Sequence, residues 1–165
     1  MRRWNGWGDE TVTYPLPDGA KEFLESRVGK AKRLRDASFD EVVRKVPKSR
    51  LAGHLLISCD AAERVRHARG QSFPDWLAMR AGTVDTFPDG VAHPSDDGEV
   101  QALLEHAKQV GARVIPYGGG TSVVGYINPV DDGQPVLEET TADECPLRKR
   151  ALVFRRWFIW IRPVV

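Results

Sequence analysis

Pro116-Tyr117-Gly118-Gly119-Gly120-Thr121-Ser122-Val123 is the stretch on which the reading of this chain turns. Arg113-Val114-Ile115-Pro116 just before it reads as a short strand, so the glycines fall at a strand's carboxyl end. Open α/β sheets bind ligands there. Three consecutive glycines permit positive φ and place no Cβ in the way of a close approach; Gly119→Val is expected to strain the loop. Successive backbone N–H groups can form an anion-binding nest, to which Thr121 and Ser122 add hydroxyl donors. The loop has no charged side chain, so a diphosphate would rest on backbone dipoles. A P-loop needs a lysine after its glycines, and none follows here. The G-x-G-x-x-G fingerprint starts at Gly118 and Gly120 but meets Val123 where its third glycine belongs. The plain alternative is a flexible surface turn.

Upstream of the loop, Asp96 and Glu99 form a capping-box pattern. Val100, Leu103, Leu104, Ala107 and Val110 follow at helical spacing, and Gly111 ends the run. Gly90-Val91-Ala92-His93 reads as a strand ended by Pro94. Strand, helix and strand together predict a βαβ unit with parallel strands. The first half reads as short capped helices. Asp18 can cap a helix with apolar positions Ala20, Phe23, Leu24 and Val28. Ser38 with Glu41, Asp60 with Glu63, and Ser72 with Asp75 repeat the capping spacing, with Pro47 and Gly82 as stops. Linkers rich in Pro, Gly and charge separate them, which predicts a wrapped arm in which Trp4, Trp7 and the Arg64–Ser72 segment pack onto the α/β unit.

The chain has 165 residues, room for about one domain. Its 24 Lys and Arg against 23 Asp and Glu leave a net +1, so the whole is no polyanion binder. Mean hydropathy is −0.39 and no run reaches the ~20 apolar residues of a spanning helix. No apolar run follows the arginines of Met1-Arg2-Arg3-Trp4, so no signal peptide is expected. Cys59 and Cys145 form no C-x-x-C pair; a cytoplasmic protein without a disulfide framework is the expectation. The charge is segregated: net +5 over Lys21–Arg50, −6 over Asp85–Asp132 and +6 over Pro146–Val165. The first of these reads as a solvated face, because acidic residues interrupt it; nucleic acid is not an expected partner. The four histidines show no metal-ligand spacing. His106 falls on the polar side of its helix, His67 within an exposed basic cluster, and Cys59 reads as a small buried filler.

Pro116 to Gly125 resembles the flavin-pyrophosphate loop of FAD-linked oxidases of the vanillyl-alcohol oxidase, or p-cresol methylhydroxylase (PCMH), superfamily. Pro88-Asp89-Gly90-Val91-Ala92-His93-Pro94 and the Glu99-Val100-x-x-Leu103 helix are similar to that domain's opening βαβ. Arg2-Arg3-Trp4-Asn5-Gly6-Trp7-Gly8 and Arg64-Val65-Arg66-His67-Ala68-Arg69-Gly70-Gln71-Ser72 resemble the alkyldihydroxyacetonephosphate synthase branch. The resemblance implies an α+β fold: a helical N-terminal arm over residues 1–84, then the first βαβ part of a PCMH-type FAD-binding domain over 85–137, incomplete. It implies FAD as cofactor, with Pro116, Gly118, Gly119, Gly120, Thr121 and Ser122 contacting it and Tyr117 and Val123 as flanking backbone. No catalytic or metal-binding residue is assigned, and the substrate stays open.

The likeness stops near Leu137. Glu138-Glu139-Thr140-Thr141 and a basic, tryptophan-bearing tail over 138–165 follow where the family continues its flavin domain. A truncated or frame-shifted reading frame would explain that break, and such a chain is expected to bind FAD weakly and catalyse nothing alone. The alternatives are a non-catalytic nucleotide- or anion-binding module, and an interaction protein that uses its basic tail.

Overall fold

The computed structural model describes residues 3–32, 35–51 and 53–140; the tail from residue 141 on, with Cys145, and Arg2 lie outside them. The helix over Asp97–Val110 (α5) is the clearest sequence-encoded element. The side chain of Asp96 accepts from the Glu99 N–H at its start, Gly111 closes it at φ 67°, and Leu103 and Ala107 are its buried face. It connects the strands Gly90–Ala92 (β2) and Arg113–Tyr117 (β3). These two run parallel, as the periodicity predicts, but they are not neighbours. Val136–Thr140 (β4) enters between them, parallel to both, with Val91 and Ile115 each opposite Glu138. β4 pairs with β3 over five residues, whereas β2 is only three residues long.

The arm supplies the fourth strand. Ile57–Ser58 (β1) pairs antiparallel with β2 and completes the order β1-β2-β4-β3. The arm's capped helices form where the spacing puts them: Phe39–Val43 (α2) behind Ser38, Ala61–Arg66 (α3) behind Asp60, and Phe73–Ala81 (α4) behind Ser72 with both halves of its capping box made. The helix over Ala20–Val28 (α1) departs from expectation. Gly19, not Asp18, is its N-cap, no side chain caps it, and none of its residues is buried. Phe23, Leu24 and Val28 are exposed because α1 meets no apolar face among the described residues.

Two apolar clusters hold the fold. Leu51, Ile57, Ala92, Leu103 and Leu137 pack between the sheet and α5, with Cys59 half-buried at their margin. Ala37, Val42, Val65, Ala68, Met79, Val84 and Phe87 form the arm's own core, against which Trp4 packs. Trp4 is thus an anchor, its ring 5.6 Å from Phe39, whereas Trp7 is 58% exposed and meets Trp76 edge-on. His106 departs from the solvated reading: its ring lies 4.6 Å from His54 and its Nε2 is buried without a partner among the described residues.

Candidate functional site

The glycine loop leaves β3 at the carboxyl end of the parallel strands. Pro116 is exposed on β3, Tyr117 ends the strand with its side chain buried, Gly118 and Gly119 are exposed, and Gly120 is buried. Thr121 is exposed, Ser122 half-buried and Val123 63% exposed. Only one of the three glycines uses left-handed space: Gly120, at φ 63°. The strain expected at Gly119 therefore moves to Gly120. Among the described residues, a Cβ on Gly118 would meet nothing within 4 Å, and one on Gly119 only Thr121 Cγ2 at 3.7 Å. Among the described residues, the space beside these two glycines is thus open to a ligand that approaches the backbone.

The arm holds this loop in place, a role that the loop's own sequence did not announce. The Gln71 N–H donates to the Ser122 carbonyl at 2.7 Å. The Gly70 N–H donates to Asn128 Oδ1 at 3.1 Å, and Asn128 Nδ2 donates to Asp75 Oδ1 at 2.7 Å. The other oxygen of Asp75 accepts from the backbone and hydroxyl of Ser72. Asp75 is therefore at once the capping box of α4 and the far end of a latch across the loop. Gly70 is obligatory by close approach, because a Cβ there would lie 2.4 Å from the Ser122 oxygen, a backbone atom that cannot swing aside. Gly70→Ala is expected to cost about 1–3 kcal/mol and to displace residues 118–128. A urea melt checks the first, and faster amide exchange confined to the loop checks the second. An unchanged melt with native exchange rates would show that the loop does not depend on this contact.

The basic cluster of α3 is not an exposed face. Arg64 is buried and donates through Nε to the Pro88 carbonyl at 2.6 Å and through a terminal nitrogen to that of Pro47 at 2.8 Å. Arg69 is buried too, donating to the Thr86 carbonyl at 2.8 Å and to Asp85 at 2.8 Å. Burial lowers the pKa of both guanidiniums from the ordinary arginine value. Their carbonyl bonds bind the arm to the segment that leads into β2, so the Arg64–Ser72 stretch docks on the sheet. His67 is half-buried, its ring 4.7 Å from that of Tyr117.

At the other end of the sheet Asp89 fixes the start of β2. It accepts twice from the Arg50 guanidinium, at 2.9 and 2.7 Å, once from the Arg50 N–H and once from the Val136 N–H. Burial pushes its carboxyl up, but these donors outweigh that and hold it below its ordinary 3.8. A cavity of about 230 Å³ opens here, lined among others by Lys48, Arg50, Asp89, Asp131 and Val136. It sits at the amino ends of β2 and β4, away from the glycine loop. No group of His, Cys, Asp and Glu among the described residues could hold a metal ion. None of the described helices is long and apolar enough to cross a membrane.

No protein-family profile matches the chain. Among curated proteins it is 27% identical over 158 residues to an alkyldihydroxyacetonephosphate synthase of Trypanosoma brucei brucei, covering 77% of this chain and 26% of that protein. It is 36% identical over 73 residues to the synthase of Dictyostelium discoideum, covering 44% and 12%. The chain is related to the alkyldihydroxyacetonephosphate synthases. Its fold superposes on a solved synthase with a TM-score of 0.67 at 21% identity, over 84% of this chain and 32% of the solved one. It thus spans about a quarter of the length of the trypanosomal synthase and about a third of the solved one. The α+β arm and sheet described above are the part of the synthase fold that this chain shares.

Proposed function

We propose that this chain forms the opening part of the FAD-binding domain of a synthase-like, FAD-linked enzyme, and that Gly118 to Ser122 holds the cofactor's diphosphate. The observation that carries this reading is the latched loop at the carboxyl end of β3, open beside Gly118 and Gly119. The donor set suits a diphosphate: backbone N–H groups, two hydroxyls and no carboxylate within Tyr117–Val123. FAD, when bound, supplies the redox and adduct chemistry of such enzymes. This chain's own residues bind and orient one end of it. Gly120 turns the backbone, Thr121 and Ser122 offer hydroxyls, and the Gly70–Asn128–Asp75 latch keeps the loop from collapsing into the open space. One loop grips only the diphosphate, so affinity is expected to be weak in the chain as it stands.

Gly120→Val tests the reading. A β-branched residue at φ 63° costs on the order of 1–3 kcal/mol of backbone strain. Flavin-fluorescence titration should show FAD affinity falling roughly tenfold or more. Riboflavin, which lacks the diphosphate, should not distinguish the variant from the parent. FAD affinity unchanged in Gly120→Val would remove the loop from the binding site.

A further inference from the structure

The carboxyl ends of the strands carry a second group of side chains beside the glycine loop. His93 follows β2, and Tyr117 ends β3. His67, the C-cap of α3, bridges them, its ring 4.7 Å from Tyr117 and 5.9 Å from His93. Glu63, one turn back on α3, accepts from His93 Nε2 through Oε1, while its backbone carbonyl accepts from His67 Nδ1 at 2.9 Å. His93 is the solvent-facing member, with 43% of its side chain exposed.

A carboxylate only accepts, so the Nε2 of His93 carries a proton. In the neutral ring the other nitrogen, Nδ1, is then a lone pair, which repels a phosphoryl oxygen. Only the imidazolium presents an N–H there. We propose that His93, oriented by Glu63 and packed through His67 toward Tyr117, is the cationic contact of the diphosphate site and grips a phosphoryl oxygen when protonated. The inference rests on the diphosphate reading of the glycine loop, and supplies the charge that the loop lacks. β4 separates β2 from β3, so the two strand ends stand roughly 10 Å apart. A diphosphate between them can take backbone donors from one side and an imidazolium from the other.

The other titratable groups near His93 leave it this role. From α3 come Glu63 and His67, and from β3 Tyr117. β4 carries Glu138 on the sheet face of Val91 and Glu139 on the other face. At the start of α5, Asp96 accepts from the Glu99 N–H, and Glu99 from the backbone and hydroxyl of Ser95.

The test is calorimetric titration of the full chain with FAD at pH 6 and pH 8, with riboflavin as a second ligand. The FAD diphosphate keeps its charge across this range, so the protein supplies any change. Affinity for FAD should fall roughly tenfold from pH 6 to pH 8, the loss of one charge-assisted contact, and riboflavin should show no step. His93→Gln keeps a neutral donor and should bind FAD with a flat pH profile. In the parent chain, the His93 imidazole resonance should move on adding FAD at pH 6, a readout that needs no variant. A full pH step in His93→Gln, or an unmoved His93 resonance, overturns the inference while the loop reading stands on Gly120→Val. A step lost in His93→Gln with Gly120→Val binding normally would keep His93 as an anion contact and discard the loop. No FAD binding at pH 6 overturns the inference as well.

Discussion

Asp89→Ala is expected to lower stability by about 2–4 kcal/mol near neutral pH, one of the two largest effects in this chain. The carboxylate is buried, and its loss strands four donors: two nitrogens of the Arg50 guanidinium, the Arg50 N–H and the Val136 N–H. Arg50 keeps 41% of its side chain in solvent and can rehydrate, which moderates the cost; the Val136 N–H cannot, because it is buried. The same residue ties β2 to β4, since the Asp89 N–H donates to the Val136 carbonyl at 2.7 Å. The pH dependence follows from the lowered carboxyl pKa. A depressed acid contributes its stability above the unfolded value and loses it as pH falls through the folded one. The gap between parent and variant should hold from pH 5 upward and close below about pH 4. Urea melts at pH 3.5, 5 and 7 measure it. A variant within half a kilocalorie of the parent at pH 7 would show that Asp89 does not organise the sheet.

Glu138→Met is expected to act in the opposite direction. Glu138 is fully buried on the central strand, and neither carboxyl oxygen has a partner among the described residues. Burial pushes its pKa well above the ordinary glutamate value, and the pull of Arg69 offsets this only in part. The folded chain therefore keeps a proton that the unfolded chain loses above about pH 4.5. Stability falls as pH rises from there toward the raised folded value. Methionine has a similar length and shape and no charge to desolvate. The variant should gain about 2 kcal/mol at pH 7 and clearly less at pH 4.5. Denaturant midpoints at the two pH values decide it. Destabilisation at pH 7 would mean that Glu138 and Arg69 form a productive pair.

Both residues bear on the flavin reading through the sheet. Asp89 sets where β2 begins, and His93 follows its last residue, Ala92; Glu138 lies between Val91 and Ile115, one residue pair back from the end of β2. A looser sheet at either place would spread the distance between His93 and the glycine loop, so FAD affinity and stability should be read together in these variants.

Much of this architecture is legible in the sequence because it rests on local physics. The capping pairs Ser38–Glu41, Asp60–Glu63, Ser72–Asp75 and Asp96–Glu99 each satisfy orphan N–H groups within one turn, so spacing alone places four helix starts. The apolar period of α5 and the glycine stop at Gly111 are equally local. The glycine loop announces itself by composition, and its place after a strand follows from the run before it. What α1 lacks shows the limit: a period of Ala20, Phe23, Leu24 and Val28 makes a helix, but only a facing surface makes it bury, and none is found among the described residues.

The tertiary structure decided what depends on distant partners. That β4 enters between β2 and β3 is a matter of ladder pairing between segments more than twenty residues apart, which no periodicity encodes. That Arg64 and Arg69 turn inward depends on carbonyls at Pro47, Pro88 and Thr86, which offset part of the cost of hiding a guanidinium. Gly120 rather than Gly119 takes positive φ, in a loop that Gln71 holds through the Ser122 carbonyl and that Asn128 ties to Gly70 and Asp75. Sequence determined the elements and the chemistry available to them, because caps, periods and glycines act over a few residues. The fold alone brought His93, Glu63 and Tyr117 to the same end of the sheet, because long-range contacts are chosen by packing and hydrogen-bond satisfaction across the whole chain.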